Sequence, residues 1–123
     1  MKPRRAWVAL ALLTTIFGCQ APTEKTVPDV LLGVWKTSEP KYADRFLELK
    51  KDAIIFGTGG DTFDHYPVEG VEQTSDEGGL LYHIYYLNRE GQRYTFSIYY
   101  DSKDHGVIRF KNQKTFTWTR EGR

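Results

Sequence analysis

The feature that most restricts the fold of this chain is a regular alternation of apolar and polar residues from Val30 onward. In the segment 93–101, for example, apolar or aromatic residues take every second position from Tyr94 to Tyr100. Such alternation turns one side of an extended chain toward a core and leaves the other side polar. Turn-forming residues interrupt it at intervals of about 8 to 12 residues, and no helical period replaces it. The pattern predicts an all-β domain.

The alternating pattern predicts eight strands, at residues 31–38, 45–50, 53–57, 65–73, 80–88, 93–101, 106–112 and 115–121. Their connections are short enough for hairpins, and consecutive hairpins form an up-and-down meander. Eight strands can close into a barrel, which leaves no exposed sheet edge. A two-sheet sandwich is the alternative, but its Greek-key connections need longer loops than this chain offers. We therefore expect a small eight-stranded antiparallel up-and-down barrel over residues 30–123.

The N-terminus has the composition of a secretory signal. Three basic residues, Lys2, Arg4 and Arg5, precede an apolar segment at 6–17. That segment is shorter than the roughly 20 apolar residues that a membrane-spanning helix needs. Residues 1–18 are therefore expected to be a cleaved signal peptide.

The four residues Ile16-Phe17-Gly18-Cys19 end this signal and contain the only cysteine of the chain. They resemble the lipobox of bacterial lipoproteins. The resemblance implies that Cys19 becomes the first residue after cleavage and carries lipid that anchors the protein in the cell envelope. If the host has two membranes, it implies the periplasmic face of the outer one, since no Asp follows Cys19 directly. An ordinary signal followed by an incidental cysteine is the alternative.

Between the cysteine and the first predicted strand lies a polar segment at 20–29, which contains Pro22 and Pro28 and has no periodicity. Such a composition is typical of a flexible tether. The expected organisation is therefore a signal peptide at 1–18, a lipid-anchored cysteine with its tether at 19–29, and a barrel domain at 30–123.

Charge and cysteine content exclude some classes of protein. Without the three basic residues of the segment 1–18, the chain has 14 basic and 16 acidic residues, or a net charge of about −2. Nucleic-acid binding calls for a basic excess, so no nucleic-acid partner is expected. A single cysteine cannot form an intramolecular disulfide, so the domain must be stabilised by its core.

Two residues at opposite ends of the barrel sequence resemble the lipocalin or calycin pattern. Gly33-Val34-Trp35 opens the first predicted strand, and Arg120 lies in the last. The resemblance implies that Arg120 packs over the Trp35 ring and closes one end of the barrel, and that the protein binds small apolar molecules. The 16 aromatic residues that follow residue 18 nevertheless predict an interior filled by side chains.

One short segment could bind a metal ion. Asp61, Asp64 and His65 bring two carboxylates and an imidazole within five residues, which is the basis of a metal-assisted hydrolase as an alternative function. No closing ligand follows at a recognisable spacing, so we expect a hydrated turn there, with no metal, cofactor or catalytic residue. The glycine-rich segment 57–60 is not followed by a helix, which phosphate-binding loops require.

Tyrosines are concentrated on two neighbouring predicted strands. The consecutive pairs Tyr85-Tyr86 and Tyr99-Tyr100 each place one ring inside the barrel and one outside. The outward rings are expected to form an aromatic patch. The candidate partner surface comprises Tyr82, Tyr85, Tyr86, Tyr99 and Tyr100. Packing within the barrel wall is the alternative.

Taken together, these features predict a lipid-anchored envelope lipoprotein that is not an enzyme. Its barrel is expected to be a binding module, either for a small apolar ligand or for an envelope protein partner. An envelope inhibitor or accessory subunit is the alternative.

Overall fold

The computed structural model describes residues 23–120. It contains nine strands: β1 (Thr23–Glu24), β2 (Gly33–Lys36), β3 (Phe46–Lys50), β4 (Ala53–Gly59), β5 (Thr62–Asp76), β6 (Gly79–Leu87), β7 (Arg93–Asp101), β8 (Val107–Phe110) and β9 (Gln113–Arg120). Short 3-10 helices lie at Asp29–Leu31, Pro40–Tyr42 and Lys103–His105. No helix in residues 23–120 is long and apolar enough to cross a membrane. The predicted signal peptide and Cys19 lie outside the described residues.

Strands β2 to β9 form one closed ring in which each strand pairs with its neighbours along the chain. The ring is completed by β2 and β9, which pair Trp35 with Arg120 and Lys36 with Thr119. All eight pairings around the ring are antiparallel. The prediction of an all-β, eight-stranded up-and-down barrel is confirmed, and the sandwich alternative is wrong.

Because the strands alternate in direction, their connections divide between two ends of the barrel, which we name the closed end and the open end. The closed end has the tight turns at 51–52 and 77–78 and the 3-10 helix Asp29–Leu31. The open end has the connections at 37–45, 60–61, 88–92 and 111–112.

Strand β5 is longer than the predicted segment 65–73 and serves two neighbours. Residues from Thr62 to Pro67 pair with β4, and residues from Val68 to Asp76 pair with β6. The register shifts between Val68 and Gly70, where the sequence predicts an irregular strand. The bulge bends β5 so that one strand can change partners within the wall.

The segment 23–29 differs from the predicted flexible tether, because it packs against the barrel. Strand β1 pairs with the edge of β5, and Val27 is only 1% exposed. The backbone N–H of Val27 donates a hydrogen bond to the carbonyl of Lys51 at 2.8 Å. The second half of β5 extends beyond the end of β4, so its free edge is available to pair with β1. Within the described residues, the part of the chain that packs on the barrel therefore includes the segment from Thr23 to Asp29 that precedes Val30.

The closed half of the barrel is filled by its own side chains, most of them aliphatic. Ile54, Ile84, Ile98 and Ile108 come from four different strands and are completely buried in one cluster. Leu31, from the 3-10 helix, is also fully buried in that cluster. Burying an aliphatic side chain of this size contributes about 1.5–3 kcal/mol, so this cluster stabilises the domain in place of disulfides.

Candidate ligand-binding cavity at the open end

A cavity of about 360 Å³ lies at the open end of the barrel. Its apolar lining includes Leu47, Phe56, Phe96, Phe110 and Trp118. Polar residues that line it are Tyr42, Arg45, Thr58, Asn112 and Gln113. The interior is therefore filled at one end only, which corrects the expectation of a filled barrel.

The cavity exists because the inward side chains change character along the strands. On β4, Ile54 is fully buried, whereas Phe56, the next inward residue toward the open end, is half-buried. The same change from isoleucine to a half-buried aromatic residue occurs on three further strands. The four aromatic residues are Phe56 on β4, Tyr86 on β6, Phe96 on β7 and Phe110 on β8. Isoleucines seal the barrel, and aromatic rings surround the space above them.

The rings that line the cavity hold one another in fixed orientations. Phe110 stacks on Trp118, with ring centres 4.7 Å apart and planes inclined by 14°. Phe96 meets Phe110 edge-on at 5.0 Å, and Phe56 meets Phe96 edge-on at 5.3 Å. These are the separations and angles at which aromatic pairs attract each other. The cavity is therefore lined by rings whose positions are set before any ligand arrives.

The connection between β2 and β3 forms one side of the rim. Its 3-10 helix Pro40–Tyr42 places the Tyr42 ring 5.5 Å from Phe116 on β9. The Tyr42 hydroxyl accepts a hydrogen bond from Gln113 Nε2 at 3.3 Å. These contacts join the connection to β9, the strand that pairs with β2. The guanidinium of Arg45 lies 5.5 Å from the Tyr42 ring and adds a positive charge to the rim.

The closed end is sealed by the two residues that carry the lipocalin-like pattern. The Arg120 guanidinium lies 4.4 Å from the Trp35 ring, which is completely buried. Arg120 Nε donates to the carbonyl of Leu32 at 3.1 Å, Nη1 donates to that of His105 at 2.8 Å, and Nη2 donates to that of Val30. The structure thus places Arg120 across Trp35, as the resemblance implies. No ligand could enter the barrel at this end without displacing both residues.

The glycine of the Gly-x-Trp pattern has a physical reason to be there. Gly33 has a φ of 131°, which other residues rarely adopt. A Cβ at this position would lie 3.2 Å from Cγ of Arg120. Gly33 therefore lets the arginine stem pass close to the backbone on its way to the tryptophan ring.

The tyrosines do not form the exposed aromatic patch that the sequence predicts. Tyr82 is buried inside the barrel, and Tyr86 and Tyr100 pack against the core from within. Only Tyr85 and Tyr99 face outward among the five, which agrees with the predicted inside-and-outside placement of each consecutive pair.

The two outward rings are covered or engaged by neighbours. Tyr99 is 5% exposed, donates to Asp76 at 3.0 Å and has the Arg109 guanidinium 5.7 Å from its ring. Tyr85 donates to Glu72, and Arg93 lies 4.1 Å from its ring. The hydrogen bond to Asp76 raises the pKa of Tyr99, and the hydrogen bond to Glu72 raises the pKa of Tyr85. Both hydroxyls are hydrogen-bonded to carboxylates of β5, which favours the alternative that these tyrosines pack within the barrel wall.

The residues of the hydrolase alternative do not converge. Asp64 and His65 are consecutive in β5, so their side chains point to opposite faces of the wall. Asp64 lies 3.5 Å from Arg89 Nη2, and Asp61 lies in the turn before the strand. Within residues 23–120, no group of three His, Cys, Asp or Glu side chains is placed to hold a metal ion. Most of the glycine-rich segment 57–60 lies in the irregular last part of β4, and strand β5 rather than a helix follows it.

Comparison of the chain with protein families, with curated proteins and with solved structures finds no match. The function must therefore be argued from the geometry of the site.

The sequence analysis missed the cavity and Arg45. One signal for the cavity was present, since Ile54 and Phe56, Phe96 and Ile98, and Ile108 and Phe110 repeat the same inward pair on three strands. In each pair the isoleucine lies toward the closed end of the barrel and the phenylalanine toward the open end. Comparing the pairs with the strand directions would therefore have predicted an aliphatic half and an aromatic half. No comparable signal marks Arg45, because its position depends on the path of an irregular connection.

Proposed function

We propose that this protein is a non-enzymatic binding module that holds a small apolar ligand in the cavity at the open end of its barrel. We further propose that it is a lipoprotein with a lipocalin-like barrel, anchored in the bacterial cell envelope through lipid on Cys19. The observation that carries the binding proposal is the aromatic-lined cavity above a sealed isoleucine cluster. The Gly-x-Trp and arginine arrangement at the closed end supports the lipocalin-like comparison.

The size of the cavity limits the ligand. Its volume of about 360 Å³ is near the lower end of the range typical of small-molecule sites. It equals about 12 water volumes at roughly 30 Å³ each. A compound of one or two rings fits this space.

The expected affinity is moderate. An aromatic side chain buries about 150–250 Å² when it enters a protein interior. At about 25 cal/mol per Å², a ligand of similar size would gain about 4–6 kcal/mol. Taken alone, this gain would give a dissociation constant between about 40 μM and 1 mM, and the loss of translational and rotational freedom on association weakens it unless polar contacts compensate.

The lining of the cavity supports binding rather than catalysis. Its polar groups are a tyrosine, a threonine, two amides and one arginine. This set contains no carboxylate or imidazole that could act as a general base beside a nucleophile. The covered outward tyrosines also favour ligand binding inside the barrel over recognition of a protein partner on that wall.

The anchor proposal fits the position of the first described strand. Thr23 pairs with Glu72, in the half of β5 that extends past the closed end. Three residues lie between Cys19 and Thr23, so their Cα atoms are at most about 14 Å apart. An anchor at Cys19 would therefore hold the closed end near the membrane and leave the open end facing away from it.

The binding proposal is tested by blocking the cavity. Thr58 is exposed at the rim, so T58W would place an indole over the opening without changing the core. The matched control is T117W, which puts the same ring on the exposed outer face of β9. With 2-naphthol as the probe and fluorescence anisotropy as the readout, T58W should weaken binding at least tenfold and T117W should leave it within twofold. Equal affinities in the two variants would contradict the proposal.

The anchor proposal has an independent test. Mass spectrometry of the protein extracted from its host should find an N-terminal Cys19 that carries acyl chains, and C19S should lose both the lipid mass and the membrane association. An unmodified cysteine in the extracted protein would contradict this part of the proposal while leaving the cavity unaffected.

A further inference from the structure

We propose that the ligand of the cavity is a small aromatic carboxylate, with its ring against the phenylalanines and its carboxylate paired with Arg45. This inference rests on the proposed function, because it names the chemical class of ligand for the same cavity.

Among residues 23–120, Arg45 is the only charged residue that lines the cavity. The remaining polar lining is neutral, so Arg45 supplies the only formal charge among the lining residues. Asp44, the next residue, does not line the cavity, and its carboxylate lies beside Gly59. A ligand that carries a negative charge at one end is therefore favoured over a neutral or cationic one.

The arginine is also without an internal partner in residues 23–120. Arg89 and Arg93 are paired with Asp64 and Glu69, and Arg120 donates to three carbonyls. Arg109 donates to the carbonyl of Gly78. By contrast, the Arg45 side chain forms neither an ion pair nor a hydrogen bond with another described residue, so its donors are available to a ligand.

The surroundings hold the guanidinium at the rim. The Tyr42 ring lies 5.5 Å from it, and the backbone N–H of Arg45 donates to the carbonyl of Tyr42 at 3.0 Å. Tyr42 is in turn held by Phe116 and Gln113. A guanidinium carries its donors in a planar fork that matches the two oxygens of a carboxylate. A bidentate pair of this kind can form at the rim while the rest of the ligand remains in the cavity.

The apolar part of the ligand is expected to be a flat ring system. Phe56 and Phe96 meet at 89°, and Phe110 meets Phe96 at 73°, so both faces and edges of rings surround the space. Aromatic ligands match such faces and edges at separations of about 4.5–7 Å. A volume of about 12 waters limits the whole ligand to roughly a dozen or so non-hydrogen atoms.

The test compares two ligands of the same shape that differ in charge, 2-naphthoate and naphthalene-2-carboxamide, by equilibrium dialysis against the full chain at pH 7. We expect the carboxylate to bind at least tenfold more tightly than the amide. R45Q should remove this preference by weakening the binding of 2-naphthoate, and should leave the amide within twofold of its original affinity. R45K should retain part of the preference, since it keeps the charge but loses the fork. The matched control R93Q removes an arginine from the outer wall and should change neither affinity.

Three results are informative. Equal binding of the two ligands to the unaltered chain, or a preference that survives R45Q, would overturn the assignment of Arg45 while leaving the cavity as a ligand site. Binding of neither ligand would contradict the proposed function itself. A preference lost in R45Q and kept in R93Q would establish Arg45 as the carboxylate-binding group.

Discussion

Replacing Arg120 by methionine tests how the barrel is closed. R120M keeps an apolar stem of similar length but removes the guanidinium, and with it three hydrogen bonds to carbonyls and the contact with Trp35. Each hydrogen bond contributes about 0.5–1.5 kcal/mol and the cation–π contact about 0.5–1 kcal/mol. Because two of the three bonds are exposed to solvent, we expect a loss in the lower part of that range, about 2–3 kcal/mol. A domain of this size would then melt about 8–24 °C lower.

Urea denaturation followed by tryptophan fluorescence measures this loss. The matched control is R93M, because Arg93 also lies over an aromatic ring, at 4.1 Å from Tyr85. Its other partner is the exposed carboxylate of Glu69 at 3.1 Å rather than a set of backbone carbonyls. An exposed ion pair contributes little, so R93M should cost no more than about 1 kcal/mol. If R120M costs no more than R93M, Arg120 does not close the barrel in the way we describe.

Two further predictions concern stability. Val27→Ala should lower the free energy of unfolding by about 1–3 kcal/mol in urea denaturation, because Val27 is 1% exposed in the core cluster. The control T26A, at the exposed neighbouring position, should lower it by less than about 0.5 kcal/mol. Equal effects of the two substitutions would mean that this segment is a flexible tether. Burial raises the pKa of Tyr86, so the folded state favours the neutral phenol. The contribution of this phenol to the stability of the fold is fully present below the pKa of about 10 that tyrosine has in the unfolded chain. It is lost as the pH rises through the higher pKa of the folded state. Urea midpoints measured at pH 9 and at about pH 11 should therefore fall less in Y86F than in the unaltered chain, and an identical fall would contradict the assignment.

The alternation of residues was sufficient to predict the eight strands of the ring and the closed barrel that they form. Period-two patterning is a local property, as in β3, where Leu47 and Leu49 are buried and Glu48 and Lys50 are more exposed. The same alternation predicted that each of the pairs Tyr85-Tyr86 and Tyr99-Tyr100 has one ring inside the barrel and one outside, as the structure has them, but it did not show which ring is which. It could not show that Asp76 and Arg109 would cover Tyr99, because what lies over an outward ring depends on side chains from other strands.

The features that the sequence did not reveal depend on where strands end relative to one another. Strand β1 forms because β5 extends past β4, and a two-residue strand in a polar segment has no periodicity of its own. The cavity likewise depends on position along the barrel axis, which alternation does not encode. Phe56 and Ile54 both read as inward residues, yet one lies beside open space and the other is fully buried.

The central claim is that a ligand binds at the open end of the barrel and not elsewhere, and two tryptophans report on the two ends. Trp118 lines the cavity, whereas Trp35 is buried beneath Arg120 at the closed end. Each indole N–H gives its own signal in a proton–nitrogen NMR spectrum of the full chain. On titration with 2-naphthoate, we predict a saturable shift of the Trp118 signal and an unchanged Trp35 signal. A shift of Trp35 without Trp118, or no saturable shift of either, would contradict the claim.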